Sequence, residues 1–216
     1  YRMNDFTQAL KGFYQVVSDN RSSQVNRAIE KVAELEFGAK NYTAAITYFR
    51  RSLSLARNKR QEYDAFNGLM ESYFILGKYD STRFYSDKIL AQGSVTTEAE
   101  NKALLYKAKS VLAEGRGSEA IDDLLLVING AKDQYGAEAQ YLLAFYFYEQ
   151  KDYAKSIQTI FDFAKNFMSY EYWYGRSFLL LADNYIGQNE LFQAKATLNS
   201  IAEKSPLEEI REEARI

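Results

Sequence analysis

Apolar residues recur at helical spacing along nearly the whole chain. At the start, Phe6, Ala9, Leu10, Phe13 and Val17 follow the i, i+3, i+4, i+7 pattern that places side chains on one face of a helix. Later segments repeat this pattern, and stretches carrying Gly, Asn or Asp separate them, as the turns of antiparallel helical hairpins require. The pattern predicts a helix within residues 1–20, the start of another at 206–216, and five helix pairs at residues 24–56, 61–91, 97–128, 134–166 and 171–203.

These helix pairs are copies of one repeating unit. The segment that opens each second helix carries a small residue near its end, and these residues are Ala9, Ala45, Thr82, Ala120, Ser156 and Ala194. The gaps between them are 36, 37, 38, 36 and 38, a period typical of helix-pair solenoids. Because one pair cannot bury its apolar stripe alone, stability must come from stacking on neighbouring pairs. The sequence therefore predicts an all-α solenoid of antiparallel helix pairs.

Composition narrows the function classes. The 216 residues are 47% hydrophobic, and no apolar run approaches the roughly 18–20 residues that span a bilayer. A net charge of −2 with interspersed signs gives no electrostatic reason to expect binding to nucleic acid or to an anionic membrane. The chain has no cysteine, which excludes disulfides and fits both the cytosol and the periplasm.

Catalytic chemistry finds little support. The chain has no His and no Cys, which rules out imidazole acid–base catalysis, cysteine nucleophiles and imidazole zinc sites. Adjacent acidic residues such as Asp122 and Asp123 point about 100° apart on a helix and do not face each other. We therefore expect a protein that is not an enzyme and that needs neither cofactor nor metal.

The repeat resembles that of tetratricopeptide repeat (TPR) proteins. Ala144 and Phe147 match the small–aromatic spacing of the family's first helix, and Tyr42 and Ala45 match the aromatic–x–x–small opening of its second helix. The resemblance covers essentially the whole chain. It implies that residues 1–216 form a single, right-handed TPR-like superhelical solenoid.

The ends of the chain suggest a fragment of a larger repeat protein. The sequence opens inside a repeat, and Pro206 starts a helix that the chain leaves incomplete. The tyrosine-rich segment Tyr170–Ser177 is similar to segments of large envelope TPR proteins of Bacteroidota. This similarity favours a periplasmic or cell-envelope location over a cytoplasmic one.

The TPR resemblance implies a scaffold whose first helices line a concave groove for a peptide or protein partner. The groove-facing candidates are Asn67, Glu71, Phe74, Lys102, Tyr106, Lys109, Tyr141, Phe145, Tyr148, Arg176 and Asp183. Tyr141, Phe145 and Tyr148 form an aromatic stripe at i, i+4, i+7, and amphipathic aromatic surfaces are common binding anchors. The alternative is that this stripe packs against the neighbouring helix pair as part of the core.

Two roles for the parent protein stay open. One is a scaffold in a cell-envelope assembly protein, and the alternative is the sensor or regulatory arm of a signalling or transcription-regulating protein. A helical-repeat RNA reader is less well supported, because its groove needs basic residues that this chain does not concentrate there.

The N-terminal helix carries one more prediction. Its hairpin partner is missing, so Phe6, Leu10, Phe13 and Val17 are expected to form an uncovered apolar face. We therefore expect self-association through this end or partial fraying of residues 1–20.

Overall fold

The chain folds into consecutive α-helices. A computed structural model describes residues 3–19, 24–93, 96–130 and 132–215, and no strand occurs among them. The helices are α1 Met3–Asp19, α2 Val25–Gly38, α3 Tyr42–Leu55, α4 Lys59–Ile75, α5 Tyr79–Leu90, α6 Thr97–Ala113, a 3₁₀ helix Gly117–Ala120, α7 Ile121–Gly130, α8 Gln134–Glu149, α9 Tyr153–Asn166, α10 Glu171–Gly187, α11 Leu191–Lys204 and α12 Glu208–Ala214. The predicted all-α class is confirmed. No described helix is both long enough and apolar enough to cross a membrane.

The turn inside each helix pair has a common backbone form. Each turn contains one residue in the left-handed region, with φ between 59° and 74°, and these residues are Lys40, Gly77, Gly115, Lys151 and Asn189. A residue in this conformation lets backbone N–H groups beyond the helix bond back to its last carbonyls, as when Asn41 N–H donates to the Glu36 carbonyl at 2.8 Å. A left-handed residue therefore follows the first helix of all five pairs, and the corresponding bond recurs from Lys78, Asp152 and Glu190.

Side-chain caps begin several of the helices. Asn58, Thr96, Asp133 and Asp152 each accept a hydrogen bond from the backbone N–H three residues later, at distances of 2.8–3.2 Å. Such a bond satisfies one of the donors that a helix leaves unpaired at its start. These polar residues thus set the start of α4, α6, α8 and α9.

The helices divide into two compact units. Unit 1 comprises residues 1–114 and holds α1–α6, whereas unit 2 comprises residues 115–216 and holds the 3₁₀ helix and α7–α12. Within each unit consecutive helices pack together, and first helices of neighbouring pairs also touch: α2 with α4, α4 with α6, α8 with α10 and α10 with α12. A single solenoid over the whole chain stays a prediction.

Small residues allow close helix contacts in both units. Ala33 and Ala45 are fully buried in unit 1, and Ala144 and Ser156 are almost fully buried in unit 2. Gly68 is the tightest case, because a Cβ built there would lie 2.3 Å from the Cζ atom of Phe49. Helix α4 can therefore lie directly against that ring.

The N-terminal helix does not present the predicted uncovered face. Val17 is buried, and Leu10 and Phe13 are half-buried against a cluster formed by residues of α2. The prediction is wrong for these three side chains because α2 supplies the cover, although it belongs to the next pair. The Phe6 side chain lies outside the part that the structure describes. Self-association through this end stays a prediction.

A polar network also fixes α1 onto α2. The Tyr14 hydroxyl donates to Oε1 of Glu36, and Asn41 Nδ2 donates to Oε2 of the same carboxylate at 2.7 Å. Glu36 is only 5% exposed, so these donors replace the water that a buried carboxylate would otherwise need. Burial and the adjacent Glu36 carboxylate raise the pKa of Tyr14.

Candidate protein-binding surface

The eleven candidate residues lie on first helices of the pairs and form one group in each unit. The group in unit 1 lies on α4 and α6 and consists of Asn67, Glu71, Phe74, Lys102, Tyr106 and Lys109. The group in unit 2 lies on α8 and α10 and consists of Tyr141, Phe145, Tyr148, Arg176 and Asp183. Each group is a surface of its own unit.

Most side chains of the unit 1 group are already engaged with one another. Lys102 of α6 forms an ion pair with Glu71 of α4, and each side chain keeps less than a fifth of its surface exposed. Phe74 and Tyr106 meet edge to face with ring centroids 5.2 Å apart, and Lys109 Nζ lies 5.1 Å from both centroids. These contacts hold α4 against α6, so five of the six candidates have a structural role.

Asn67 borders a cleft, which Glu71 also lines, and Asn67 differs from Glu71 because no ion pair engages it. Its Oδ1 atom is buried and has no hydrogen-bond partner among the described residues. The cleft holds about 350 Å³ and lies between α2, α3 and α4, with Phe37 and Phe49 as apolar walls. Glu30 and Glu34 of α2 line it as well, and Arg60 of α4 is a cation in the same lining.

In unit 2, four aromatic side chains form a continuous surface, here called the aromatic patch: Tyr141, Phe145 and Tyr148 of α8 and Trp173 of α10. The ring centroid of Phe145 lies 6.3 Å from that of Tyr141 and 6.2 Å from that of Tyr148. Trp173 extends the row, with its ring 5.3 Å from Tyr141. The i, i+4, i+7 spacing thus places the three residues of α8 side by side.

The members of the aromatic patch differ in burial. Tyr141 and Tyr148 are half-buried and pack against a core cluster of Ala144, Ile160, Leu180 and Leu181. Phe145, in contrast, is 40% exposed at the centre of the row. Tyr141 and Tyr148 are therefore partly core residues, as the alternative interpretation expects, whereas the Phe145 ring is exposed and can contact a partner.

Charged groups surround the aromatic patch. Arg176 Nη1 donates to both carboxylate oxygens of Glu213 at 2.8 and 2.7 Å, and its guanidinium lies 6.0 Å from the Tyr141 ring centroid. Desolvation by surrounding atoms raises the pKa of Asp183, the nearby Glu213 charge adds to this, and Arg176 opposes it. Burial raises the pKa of Tyr148, and the Asp183 charge raises it further. The patch thus has an acidic border.

A metal centre finds no support in these surfaces. Among the described residues, no group of three His, Cys, Asp or Glu side chains is arranged to hold a metal ion. The chemistry available at both surfaces is hydrogen bonding, ion pairing and aromatic contact.

Comparison with known proteins fits this helical architecture. Residues 176–207 match the family model of the tetratricopeptide repeat. The crystal structure of YrrB, described as a TPR protein with an unusual peptide-binding site, superposes with a TM-score of 0.59. The fold is that of a TPR solenoid. The match covers 94% of this chain and 97% of YrrB at 12% identity, a level that shows the fold alone. No curated protein sequence matches the chain.

These findings confirm the TPR resemblance. The surface of unit 2 also includes two residues that were not among the candidates predicted from the sequence. Trp173 contributes a ring to the aromatic patch, and Glu213 of α12 holds Arg176 in place. Trp173 belongs to the tyrosine-rich segment Tyr170–Ser177, which lies one helix pair after the aromatic residues of α8. The aromatic composition of this segment could therefore have indicated that Trp173 joins the patch. The role of Glu213 depends on how α12 packs against α10, for which the sequence carries no comparable signal.

Proposed function

We propose that the chain is a non-enzymatic scaffold that binds a peptide or protein partner in the groove lined by its first helices. The TPR fold suggests such a role, since TPR proteins are typically non-catalytic interaction scaffolds. The observation that carries the proposal is the exposure of Phe145 at the centre of the aromatic patch. A partner side chain placed there gains apolar contact with rings that neighbouring packing already holds in place.

Unit 1 contributes to binding mainly through its cleft. The Glu71–Lys102 ion pair and the Phe74–Tyr106 contact serve packing, so a partner gains little by replacing them. The Asn67 carboxamide lines the cleft and its buried Oδ1 has no partner among the described residues, so a rotation of this side chain would offer that oxygen to the N–H of a peptide backbone. We therefore propose an apolar anchor on the surface of unit 2 and, as a separate contact, a polar group in the cleft of unit 1.

Site-specific photo-crosslinking in cells of the source organism tests this proposal. A benzophenone amino acid replaces Phe145 in one variant and Phe161 of α9 in a control, since the two phenylalanines are 40% and 42% exposed. We expect a discrete crosslinked protein from position 145 and none from position 161. Equal crosslinking at both positions, or none at position 145, would contradict the assignment.

For the parent protein we infer a role in cell-envelope assembly. The similarity of Tyr170–Ser177 to segments of envelope TPR proteins supports this inference, while the alternative is a sensor or regulatory arm of a signalling protein. Fractionation of the full-length protein distinguishes the two. Recovery with the envelope is expected, and recovery with a cytoplasmic regulator would favour the alternative.

A further inference from the structure

In unit 2 the chain places one of its own cations on the aromatic patch. The Arg176 guanidinium lies 6.0 Å from the ring centroid of Tyr141, within the range of a cation–π contact. The same guanidinium donates to both oxygens of the Glu213 carboxylate. At this end of the patch, the Tyr141 ring and the Glu213 carboxylate thus form a cation-binding site, and Arg176 of the same chain occupies it.

The other end of the patch has the same two chemical groups without the cation. Tyr148 follows Tyr141 by seven positions on α8, and Asp183 follows Arg176 by seven positions on α10. Seven residues are about two helical turns, so each later residue lies on the same face as the earlier one. Asp183 is exposed and forms no ion pair with a described residue, and its charge acts on the Tyr148 hydroxyl.

We propose that the partner supplies the missing cation, as an arginine or lysine side chain that lies against Phe145 and Tyr148 and pairs with Asp183. This inference rests on the proposed binding function and names the chemistry of the partner. Phe145 provides the exposed ring, 6.2 Å from Tyr148, and Asp183 provides the charge. Arginine suits the site better than lysine, because a planar guanidinium stacks on a ring while it bonds a carboxylate.

The electrostatics of the border favour a basic segment over an acidic or neutral one. Asp183 and Glu213 are close enough for the second charge to raise the pKa of the first, and the Glu149 charge also acts on Tyr148. Arg176 balances only part of this negative charge because Glu213 already engages it. A second cation therefore relieves repulsion that the free chain retains.

The test uses peptides selected from a random display library on the intact chain and retained if Phe145→Ser weakens their binding. Each retained peptide that carries arginine is also made with citrulline, a neutral analogue of similar shape. Affinities are measured for the wild-type chain, for Asp183→Asn, and for Asp122→Asn, which makes the same charge change at an exposed position of α7. Thermal melts establish that both variants remain folded.

We expect the retained peptides to be rich in arginine or lysine. Asp183→Asn and the citrulline replacement should each weaken binding by about fivefold, and the second change should add little after the first. Asp122→Asn should leave the affinity unchanged. Retained peptides without basic residues, or equal effects of the two Asp variants, would overturn the cation site while leaving the binding function in place. If no peptide depends on Phe145, both proposals fail.

Discussion

Replacement of Gly68 by alanine tests how closely the helices of unit 1 are packed. A Cβ at this position would lie 2.3 Å from Cζ of Phe49 and 2.4 Å from its two Cε atoms, far inside normal contact distance. The Phe49 ring is 8% exposed and is held in a cluster with Ala33, Leu69 and Tyr73. The ring also borders the 350 Å³ cleft, but the cluster holds it against α4, so either the ring or helix α4 must move.

The expected free-energy change combines two opposing effects. Alanine stabilises a helix interior by about 1 kcal/mol relative to glycine. Overpacking a core costs about 1–3 kcal/mol, and the upper value applies here because three ring atoms are affected. Gly68→Ala should therefore destabilise unit 1 by about 2 kcal/mol.

Gly12→Ala is the matched control. Gly12 lies inside α1, and a Cβ there would meet nothing within 4 Å, so only the helix gain of about 1 kcal/mol remains. Native-state hydrogen exchange of the α3 and α4 amides measures the stability of unit 1 directly. If Gly68→Ala proved as stable as Gly12→Ala, the close contact would be refuted. Truncation of the ring by Phe49→Leu should recover part of the loss.

Two further predictions concern ionisable groups. Tyr14→Phe removes a hydrogen-bond donor from the buried Glu36 carboxylate and should lower the free energy of unfolding of unit 1 by about 1.5–3 kcal/mol, as measured by urea unfolding. Tyr172→Phe removes the hydroxyl of an exposed ring and should cost little. Equal costs for the two variants would contradict the Tyr14–Glu36 network. The raised pKa of Asp183 means that the folded chain holds this proton more tightly than the unfolded chain, so stability should fall as pH rises above 3.8 through the folded pKa. Asp183→Asn should remove that fall in melts between about pH 3 and 7, and an unchanged pH profile would contradict it.

The helices were predictable because their signals are local. Apolar spacing defines each amphipathic face, and a turn residue such as Gly77 or Asn189 marks the end of each first helix. The misjudged face of α1 shows the limit of this reasoning. The sequence indicates that Leu10 and Phe13 need cover, but it does not indicate that α2 provides it.

The candidate surfaces were only partly predictable, because contacts between residues distant in sequence decide which side chains stay exposed and which are already engaged. Glu71 and Lys102 were both expected to face the groove, yet they form an ion pair with each other across α4 and α6. The spacing of the aromatic stripe placed Tyr141, Phe145 and Tyr148 together. It could not show that Phe145 alone of the three is well exposed, since that depends on how α10 packs beside α8.

The most direct test of the account is the effect of Phe145→Ser on partner affinity, measured by calorimetry with the partner or peptide identified by crosslinking or selection. The control is Phe161→Ser, which removes an equally exposed ring from α9. Both rings are more than half covered, so the two changes should cost a similar stability of about 1–2 kcal/mol, and thermal melts establish that both variants remain folded. Phe145→Ser should weaken binding by about thirtyfold, which corresponds to the loss of a 2 kcal/mol anchor, whereas Phe161→Ser should bind as the wild type does. Equal affinities for the two variants would contradict the aromatic patch as the binding surface.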